Sequence, residues 1–550
     1  MQRTLSMRPM VVIAAASLAL LVSACGDDGG NDDGNDEAED TAGEDGGSAD
    51  WTFGPIYGVN NNDDDDLDGK RDWLTPPFDA DTDLMPLTIT ADQVAGFSDG
   101  DSVRLTLSGD ADLMRMWHNG AHVLGSGAAE PILEYTFTPS GEETLWVEFG
   151  EFLARGSVVI DHVSGGEAVE SDTIELVSSP AIMNHHLMPA EHLWIVQTSD
   201  NAEYVMDYLE ALTSDVSLVQ GVMYQQDRWI QDEIEFATST DAAGGRLDTV
   251  IDSIRDRGLD NFPEDEFGPQ TDWFIGTWGS PTNATTFDAF GNLDASPPAP
   301  GFPFGRIYYG LENGQGLDSA LATFLDEQTL QQPFPLDSIW LCVGHVDEFS
   351  SFVPDPTAPK GYRLLLADTA SGLELLDSID PGHPTNRYNS AYGYATAGDI
   401  AADAALRAYN EDIQVNELDG IREAFKSALS LTDEEIIEVP TIFQAEGNCG
   451  AGAMTTGTVN LIVANIDGKG IKLMVPDPFF RNDAEGPESD PWAQDFEARM
   501  PDGLDVVWTD DWFSYHLLLG EVHCGTNVTR TPQADWTVDG AELLGLEGAN

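Results

Sequence analysis

Four residues from three distant segments have side chains suited to chemistry on a planar cation. They are Asp232, His345, Asp347 and Cys524. A cysteine thiolate is a nucleophile, and a histidine can carry protons to and from reacting groups. Paired carboxylates can hold a guanidinium through charge-assisted hydrogen bonds. We therefore interpret the four residues as equipment for removing a nitrogen atom from a guanidinium group.

The surroundings of Cys524 favour a reactive thiol. It lies in the polar, glycine-flanked segment 520–527, whereas buried structural cysteines prefer apolar neighbours. His523 is adjacent, but neighbouring side chains of an extended segment point to opposite faces. We therefore expect His345, distant in sequence, to be the proton-transfer partner.

His345 and Asp347 are two residues apart, so on a strand both side chains would point to the same face. The apolar run at 339–343 predicts a buried strand that ends at Gly344. Taken alone, a His-x-Asp pair is also typical of a structural hydrogen-bonded pair. That interpretation stays open beside the catalytic one.

A strand over residues 229–236 would divide its polar side chains between two faces. Asp232 would lie on one face, and Gln231, Glu233 and Glu235 would lie on the other. Calcium takes roughly six to eight oxygen ligands from carboxylates, amides and carbonyls. The second face therefore suits calcium, and the alternative is a solvated acidic edge strand.

Length and charge limit the classes of protein and partner. A chain of 550 residues is too long for a single core and predicts two or more domains. Its 23 Lys and Arg against 98 Asp and Glu give a net charge of −75. Such a charge repels nucleic acid and anionic surfaces and attracts cations. We therefore exclude nucleic acid as a partner, and the sequence leaves the oligomeric state unknown.

The amino-terminal residues predict export. Basic residues precede an apolar run at 10–22 that is short for a permanent membrane helix. The run ends in Val22-Ser-Ala-Cys25, which resembles a bacterial lipobox; an ordinary signal peptide is the alternative. We expect residues 1–24 to be a lipoprotein signal peptide, Cys25 to carry a membrane-bound lipid anchor, and residues 25–50 to be a disordered acidic tether. The protein would then be an exported lipoprotein, periplasmic or on the cell surface.

Two ordered regions are expected after the tether. Residues 51–177 contain short alternating stretches separated by turn residues, which predict a β-sandwich domain of immunoglobulin-like type. Residues 178–550 alternate strand-like and helical patterns, which predict a mixed α/β region. The predicted strands are 102–107, 132–137, 144–149, 156–160, 193–196, 338–342, 362–366 and 459–463. The predicted helices are 201–212, 318–325, 399–409 and 416–431.

The other cysteines and a histidine cluster receive structural interpretations. An odd number of cysteines after the lipobox leaves at least one free thiol in an oxidising compartment. Cys342 lies in an apolar run and is expected to be a buried structural thiol, and Cys449 receives no role. His185, His186 and His192 suggest a metal site, but we prefer helix-start or surface positions for them.

The segments around the four chemical residues resemble those of the peptidylarginine deiminases, calcium-dependent enzymes that convert peptidyl-arginine to peptidyl-citrulline. The resemblance runs in the family's order from about residue 178 to 530. It includes Asp252-Ser-Ile-Arg-Asp-Arg-Gly-Leu259 and Phe287-Asp-Ala-Phe-Gly-Asn-Leu-Asp-Ala-Ser-Pro-Pro298. The implied fold class is α/β, with a guanidine-modifying propeller of five modules over 178–550 after the immunoglobulin-like domain.

The resemblance implies a role for each residue at the centre of the site. Cys524 matches the nucleophile, His345 the general acid and base, and Asp232 and Asp347 the carboxylates that hold the guanidinium. It also implies substrate contacts outside this centre. Trp229 matches the residue that packs on the arginine stem, and Arg257 matches the arginine that contacts the backbone carbonyls of the substrate. Leu518 stands where some animal members have an arginine that touches the substrate, so this contact is altered.

The resemblance also implies three calcium-binding regions. The ligands of one are Gln231, Glu235, Asp294 and the backbone carbonyls of Phe290 and Leu293. The ligands of a second are Glu233, Asp252, Ser253 and Asp256. Asp294 and Asp256 replace the usual Glu and Asn, and both keep an oxygen ligand. The third lies in the acidic run at 60–72, with Asn60, Asn62, Asp64, Asp66 and Asp68 as candidates; an acidic linker end is the alternative.

We therefore expect a calcium-dependent hydrolase that converts arginine in proteins or peptides to citrulline and ammonia through a covalent intermediate on Cys524. One alternative is a deiminase of free arginine or small guanidines. Another is a calcium-binding surface protein without activity, which the presence of all four chemical residues disfavours.

Overall fold

Short alternating strands at the beginning of the described chain pair into two sheets. The computed structural model describes residues 50–62, 71, 73, 84–127, 129–240, 245–311, 314, 316–466, 468–532 and 534–546. The predicted signal peptide, Cys25, the tether up to residue 49, and the calcium candidates Asp64, Asp66 and Asp68 lie outside the described residues.

Strands dominate the first region. They are β1 (Ile56–Gly58), β2 (Met85–Ile89), β3 (Ser102–Gly109), β4 (Met114–His118), β5 (Ala121–Gly125), β6 (Glu134–Phe137), β7 (Glu143–Phe149), β8 (Arg155–Ser164) and β9 (Glu167–Ser178), with a short helix α1 (Ala91–Val94). One sheet has the order β1-β9-β8-β3-β6 and the other has β2-β7-β4-β5.

The two sheets pack face to face. Val103 and Leu105 of β3 and Leu145 and Val147 of β7 are fully buried in one shared core. Because strands of both sheets contribute alternate residues to this one core, the region is a β-sandwich. The four strand predictions made for it are confirmed, although β6 begins only at Glu134. The immunoglobulin-like assignment stays a prediction.

The second region mixes strands and helices, as the patterns predict. Its strands are β10 (Ile182–Met183), β11 (Ala190–Gln197), β12 (Val216–Gln220), β13 (Ile234–Thr240), β14 (Arg246–Asp252), β15 (Trp273–Thr277), β16 (Leu293–Ala295), β17 (Ile307–Leu311), β18 (Phe334–Asp337), β19 (Ser350–Pro354), β20 (Tyr362–Asp368), β21 (Ile436–Pro440), β22 (Phe443–Glu446), β23 (Gly450–Ala453), β24 (Ile462–Ile466), β25 (Gly470–Pro476), β26 (Leu504–Thr509) and β27 (Thr526–Arg530). Its helices are α2 (Ala202–Leu212), α3 (Ile230–Glu233), α4 (Phe262–Glu266), α5 (Ser319–Glu327), α6 (Thr369–Ser378), α7 (Asn386–Tyr392), α8 (Ala397–Ala401), α9 (Ala404–Ile413), α10 (Asp419–Leu429), α11 (Pro491–Arg499) and α12 (Ala541–Leu544).

Within the described chain, one strand pattern occurs in five small sheets of this region. A central strand pairs antiparallel with one neighbour and parallel with the other. The sheets are β27-β11-β12, β13-β14-β15 (extended by β10), β16-β17-β18, β19-β20-β21 and β24-β25-β26. Helices join each parallel pair, because parallel strands need a crossover connection.

The antiparallel outer strand of each sheet begins just after a residue that reaches the centre of the region. Asp232 precedes β13, Asp347 precedes β19 and Cys524 precedes β27. The equivalent positions before β16 and β24 are Gly291 and Asn460. The fold therefore directs one such residue from each of the five sheets towards the same site.

The prediction of a strand over 229–236 is wrong in its first half. Residues 230–233 form the single helical turn α3, closed by a bond from Asp232 N to Trp229 O (3.1 Å), and β13 begins at Ile234. In a helical turn, successive side chains diverge and residues four apart meet. The separation of Asp232 from the calcium candidates therefore arises from this turn and not from strand alternation.

The strand predicted at 338–342 is also wrong, and so is the interpretation of Cys342 as a thiol. β18 ends at Asp337, and Cys342 forms a disulfide with Cys449, in the turn between β22 and β23. The segment bonds laterally to this hairpin, since Cys342 N donates to Ala451 O at 2.8 Å. Its apolar residues pack in the core instead of forming a strand, with Leu341 buried and Trp340 against Phe443.

The helix predictions at 201–212 and 318–325 are confirmed by α2 and α5. The predicted helix at 399–409 divides into α8 and α9, because Asp403 accepts bonds from the backbone amides of Ala405 and Leu406 and so caps a new helix. The predicted helix at 416–431 is α10, and the strand predicted at 459–463 begins only at Ile462.

The sandwich and the second region belong to one compact unit. Arg155 Nη1 of β8 donates to Leu544 O of α12 at 2.7 Å, and the rings of Tyr57 and Trp536 are 5.5 Å apart. In the part of the chain that the structure describes, no helix has both the length and the apolar character needed to cross a bilayer.

Candidate active site

The turns before β13, β19 and β27 bring the four predicted catalytic residues together. Cys524 Sγ lies 3.3 Å from Asp347 Oδ2, and His345 Nδ1 lies 3.7 Å from Asp232 Oδ1. All four side chains are buried. The backbone adds a further tie, since Gln231 N of α3 donates to Cys524 O at 3.3 Å. The three distant segments therefore form one site.

The Cys524 thiol is protonated in this environment. Burial, together with the negative charges of Asp347 and Asp232, raises its pKa well above the ordinary value. The S–H group donates to Asp347 Oδ2. A cation held between the two carboxylates would offset their repulsion and favour the thiolate.

The imidazole of His345 presents an accepting nitrogen to the site. Its Nε2 lies 2.9 Å from the carbonyl oxygen of Thr286, to which it donates. In the neutral ring the other nitrogen is then unprotonated. This nitrogen, Nδ1, faces Asp232, so His345 can take a proton from a group in the site and return it.

Two carboxylate oxygens in the site are available to accept hydrogen bonds. Asp232 Oδ1 and Asp347 Oδ1 are buried and have no hydrogen-bond partner among the described residues. An unpaired buried acceptor is costly, and more so when it is charged. A guanidinium offers several N–H donors in one plane together with a positive charge. It is the kind of group that this pair of oxygens fits.

A cavity of about 260 Å³ lies against Cys524 and His345. Trp229 and Val343 give it apolar walls, and Leu518, with 51% of its surface exposed, lies at its edge. Trp229 can pack there because Gly520 has no side chain; a Cβ on Gly520 would lie 2.2 Å from its ring. The cavity therefore has a mostly polar and charged lining, to which these residues add a few apolar walls.

Arg257 also lines the cavity, where its Nη2 donates to Asp232 Oδ2 at 3.1 Å. Its guanidinium is therefore already bound to Asp232, so a substrate would have to share Arg257 with this carboxylate. Asp227 lies 3.6 Å from its Nε and holds its other side.

Gly291 leaves the space at the centre of the site. A Cβ at this position would lie 2.6 Å from His345 Nδ1, 3.0 Å from Asp347 Oδ2 and 3.3 Å from Asp232 Oδ1. Any side chain here would therefore displace at least one of these three groups.

His523 lies on the site, contrary to the expectation that it points to the opposite face. Its Nδ1 is 3.0 Å from Asp347 Oδ2 and its Nε2 is 3.0 Å from His186 Nε2. Residues 522–525 form a turn, in which the alternation of a strand does not hold. His185 and His186 are buried, so the preference for surface positions is wrong for them.

The two facing imidazoles differ in how strongly they hold a proton. Burial tends to lower the pKa of His523, but the bond to Asp347 and the nearby carboxylates raise it overall. Burial and the neighbouring His523 lower the pKa of His186 well below the ordinary value. His523 is therefore the favoured donor between the two Nε2 atoms, and its Nδ1 holds the Asp347 carboxylate in place.

Comparison with known proteins identifies the family to which this chain is similar. The model of the family described as protein-arginine deiminase (PAD) matches residues 168–537. The chain belongs to the protein-arginine deiminase family.

Mammalian members of the protein-arginine deiminase family resemble the chain over much of its length. It is 32% identical over 417 residues to protein-arginine deiminase type-1 of Homo sapiens, covering 70% of this chain and 59% of that protein. It is 31% identical over 390 residues to the type-4 protein of Rattus norvegicus, covering 66% and 56%. It is 28% identical over 534 residues to the type-3 protein of Homo sapiens, covering 88% and 78%. The chain thus spans less than two thirds of the length of the first two relatives.

The first predicted calcium region contains a buried pair of acids. Burial and the charge of Asp294 raise the pKa of Glu235 to about 8, and burial raises that of Asp294 to about 6. Gln231 Nε2 bridges Glu235 Oε2 at 2.6 Å and Phe290 O at 3.2 Å, and Leu293 begins β16 beside them. Reversal of this amide would turn its oxygen towards Glu235 and Phe290 O, and oxygen donors of these kinds suit a hard cation.

The second predicted calcium region also fits a cation. Both carboxylate oxygens of Glu233 and Oδ1 of Asp252 are buried without a hydrogen-bond partner in the described chain. Burial and repulsion between the two raise the pKa of Glu233 to about 8, and burial raises that of Asp252 to about 7. Ser253 N donates to Glu233 O at 2.9 Å, while Ser253 Oγ donates to Asp288 O. Asp256 is exposed at the edge of the region.

The third predicted calcium region is described only in part. Asn60 is fully buried, and its side-chain oxygen and nitrogen have no partner among the described residues. Asn62 Nδ2 donates to Gly150 O at 3.1 Å. Asn61, between them, donates from Nδ2 to Glu148 Oε1 at 2.8 Å, and burial raises the pKa of Glu148 to about 7. Calcium binding here stays a prediction.

Several residues of the centre were not found from the sequence. Gly291, Asn460, His186 and the role of His523 depend on the meeting of segments far apart in the chain. Two of them gave a local signal: His523 as the neighbour of Cys524, and His186 as part of a histidine cluster that was assigned to other positions. The disulfide partner of Cys342 likewise gave none, although Cys342 lines the cavity.

Proposed function

We propose that the protein hydrolyses the guanidinium of arginine residues in peptides or proteins to citrulline and ammonia. The observation that carries this proposal is the pair of buried, unpaired oxygens on Asp232 and Asp347, in the site where Asp347 also contacts the Cys524 thiol. The family membership and the names of the relatives support it.

The substrate itself would activate the nucleophile. When a guanidinium lies between Asp232 and Asp347, its positive charge offsets the two charges that raise the pKa of the Cys524 thiol. The thiol can then pass its proton to Nδ1 of His345, and the thiolate attacks the guanidinium carbon. Substrate binding and thiolate formation are thereby coupled.

His345 would carry the protons of both half-reactions. In the first, it donates a proton to the departing nitrogen, which leaves as ammonia while the carbon remains bonded to Cys524 Sγ. In the second, it removes a proton from water, which attacks the same carbon and releases the thiolate. The ureido group of citrulline and the free enzyme result.

We further propose that Ca²⁺ binds the two ligand sets beside the site. Calcium would neutralise the acids of both sets. Glu233 and Gln231 flank Asp232 in α3, and Phe290 precedes Gly291, so these ligand residues hold the turns that form the site. Calcium would thus order the site and take no part in bond making.

The reaction should prefer peptidyl-arginine, because Arg257 lies at the cavity beside Asp232, where it can contact backbone carbonyls of a bound peptide. The test is ammonia and citrulline release from a blocked peptidyl-arginine and from free arginine, each with calcium and with chelator. We expect release from the peptide in calcium alone. Equal or faster release from free arginine would overturn the peptide preference, and no release from either would overturn the activity.

We propose that the five repeated sheets close into the propeller of the family, with the site at its centre. The convergence of turns from β13, β16, β19, β24 and β27 supports this arrangement. An experimental structure would test it, and an open arrangement of the sheets would overturn it.

We also propose that the chain is exported and anchored through Cys25. The apolar run before Val22-Ser-Ala-Cys25 and the disulfide between Cys342 and Cys449 support an oxidising destination. Mass spectrometry of the mature amino terminus should find a lipidated Cys25, and Cys25→Ala should release the protein from the membrane fraction. An unmodified Cys25 in the mature protein would overturn the anchor.

A further inference from the structure

Asn460 occupies the position in its sheet that catalytic residues occupy in others. It lies just before β24, as Asp232 lies before β13 and Cys524 before β27. The positions equivalent to it therefore supply a carboxylate, the nucleophile and, at Gly291, the space for the cation. Its position and its buried polar side chain together indicate that Asn460 acts in the same site.

The side chain of Asn460 contacts the nucleophile directly. It is 99% buried, with 1% of its surface exposed, and its Nδ2 lies 3.4 Å from Cys524 Sγ. A sulfur atom accepts a hydrogen bond only weakly as a thiol, and more strongly as a thiolate. The contact therefore becomes stronger when Cys524 loses its proton.

The other contacts of Asn460 fix its direction. Its Nδ2 also donates to the backbone oxygen of Asp347 at 3.1 Å, and its Oδ1 accepts from His523 N at 2.8 Å and from Cys524 N at 3.4 Å. Oδ1 also lies 3.7 Å from Cys524 Sγ, farther than Nδ2, and can accept from the sulfur only while the thiol is protonated. With Oδ1 occupied by two amide donors, the amide cannot reverse without losing both bonds. The nitrogen is thus held towards the sulfur.

The charges around Cys524 make such a donor useful. Asp347 Oδ2 lies 3.3 Å from Sγ, and Asp232 adds a second negative charge. Both charges oppose the thiolate. A cationic donor here would compete with the substrate for the two carboxylates, whereas a neutral amide supplies a donor without this competition.

We propose that Asn460 stabilises the Cys524 thiolate by donating a hydrogen bond from Nδ2 to Sγ, and so sets the reactivity of the nucleophile. This role rests on the proposed function of Cys524, but it concerns the thiol itself and can be measured without turnover.

The experiment is the rate at which iodoacetamide alkylates Cys524, followed by peptide mass spectrometry across a range of pH. The full chain is used with calcium and without reductant, so that the Cys342–Cys449 disulfide stays intact. Asn460→Ala removes the donor, and Asn460→Asp replaces it with a negative charge of the same shape. Asn410→Ala is the matched control, since Asn410 is a fully buried residue that bonds backbone groups of Leu406 and Phe443 away from the site.

The alkylation midpoint should move to higher pH in Asn460→Ala by about one unit, with a roughly tenfold slower rate at neutral pH, as expected for one lost hydrogen bond to a charged group. Asn460→Asp should move it further, and Asn410→Ala should leave it unchanged. If Asn460 only supports the fold, both of its variants would lower the unfolding temperature but keep the wild-type midpoint, and the proposal would be overturned. Normal alkylation of the wild type without any deimination would instead count against the proposed function.

Discussion

At the scale of single residues, the state of Cys524 controls the chemistry. Its thiol lies 3.3 Å from the carboxylate of Asp347, which we propose also holds the substrate guanidinium. The same charge would then have two opposite effects: it opposes the thiolate, and it would attract the guanidinium. These effects can be separated by mutation.

Cys524→Ser should lower deimination by on the order of 10³-fold or more, because a hydroxyl in this acidic site cannot supply the nucleophile. The serine hydroxyl can still donate to Asp347, so the fold should be kept. The measurement is citrulline formation together with the thermal unfolding temperature. Turnover near the wild-type rate in a folded variant would refute the assigned nucleophile.

Asp347→Asn should change reactivity and turnover in opposite directions. Removing the negative charge beside Sγ lowers the pKa of the thiol, so iodoacetamide should alkylate Cys524 several-fold faster at neutral pH. Deimination should fall, because the guanidinium loses a charged partner. Asp232→Asn serves as the comparison, since its charge has the smaller effect on the thiol. Slower alkylation in Asp347→Asn would contradict this account.

At the scale of the elements, the turns before the outer strands decide the site. Gly291 shows this most clearly, because it carries no chemistry and yet fixes the space in which three other side chains meet.

Gly291→Ala should lower kcat strongly, on the order of 10²-fold, because its Cβ would displace His345 from the reacting group. Calcium binding should persist, since the ligand candidates Phe290 and Leu293 act through backbone carbonyls. Gly420→Ala is the control: it lies in α10 with open space around its Cβ and should keep full activity. Steady-state kinetics and calcium titration of both variants provide the check. Full activity in Gly291→Ala would show that this space is not needed.

The sequence predicted the elements better than the turns between them. Alternating apolar residues such as Val103 and Leu105 indicated the strands of the sandwich, because one face of each strand packs in the core. The turn at 230–233 was mistaken for a strand, since a single helical turn has no period of its own to detect. Asn460 and Gly291 could not be found, because their importance arises from contacts with residues in other sheets.

At the scale of the whole molecule, the stability should depend on pH and calcium together. Glu233 and Glu235 have pKa values of about 8 in the folded protein, against an ordinary value of 4.5. The folded state therefore binds protons more tightly than the unfolded state. The associated stability is fully present below the ordinary value and is lost as the pH rises through about 8.

In chelator, the unfolding temperature should fall by on the order of 5 °C or more between about pH 5 and pH 8. With calcium it should stay nearly level, because the cation replaces the protons. Glu233→Gln should raise the stability in chelator at high pH and weaken the response to calcium. Calorimetry of the four combinations tests this, and equal unfolding temperatures in chelator at both pH values would contradict it.

The disulfide has a further consequence for how the protein reaches its active form. Cys342 and Cys524 line the same cavity, and Cys449 lies 107 residues beyond Cys342. In the oxidising compartment that we propose for this chain, three thiols could pair in more than one way, and either wrong pair would capture the proposed nucleophile. Correct pairing would then require that Cys524 is buried before oxidation is complete, or that an isomerase corrects the error. Once formed, the bond between Cys342 and Cys449 leaves no free thiol on Cys342 in the cavity. Cys342 can then no longer form a disulfide with Cys524 and block the site.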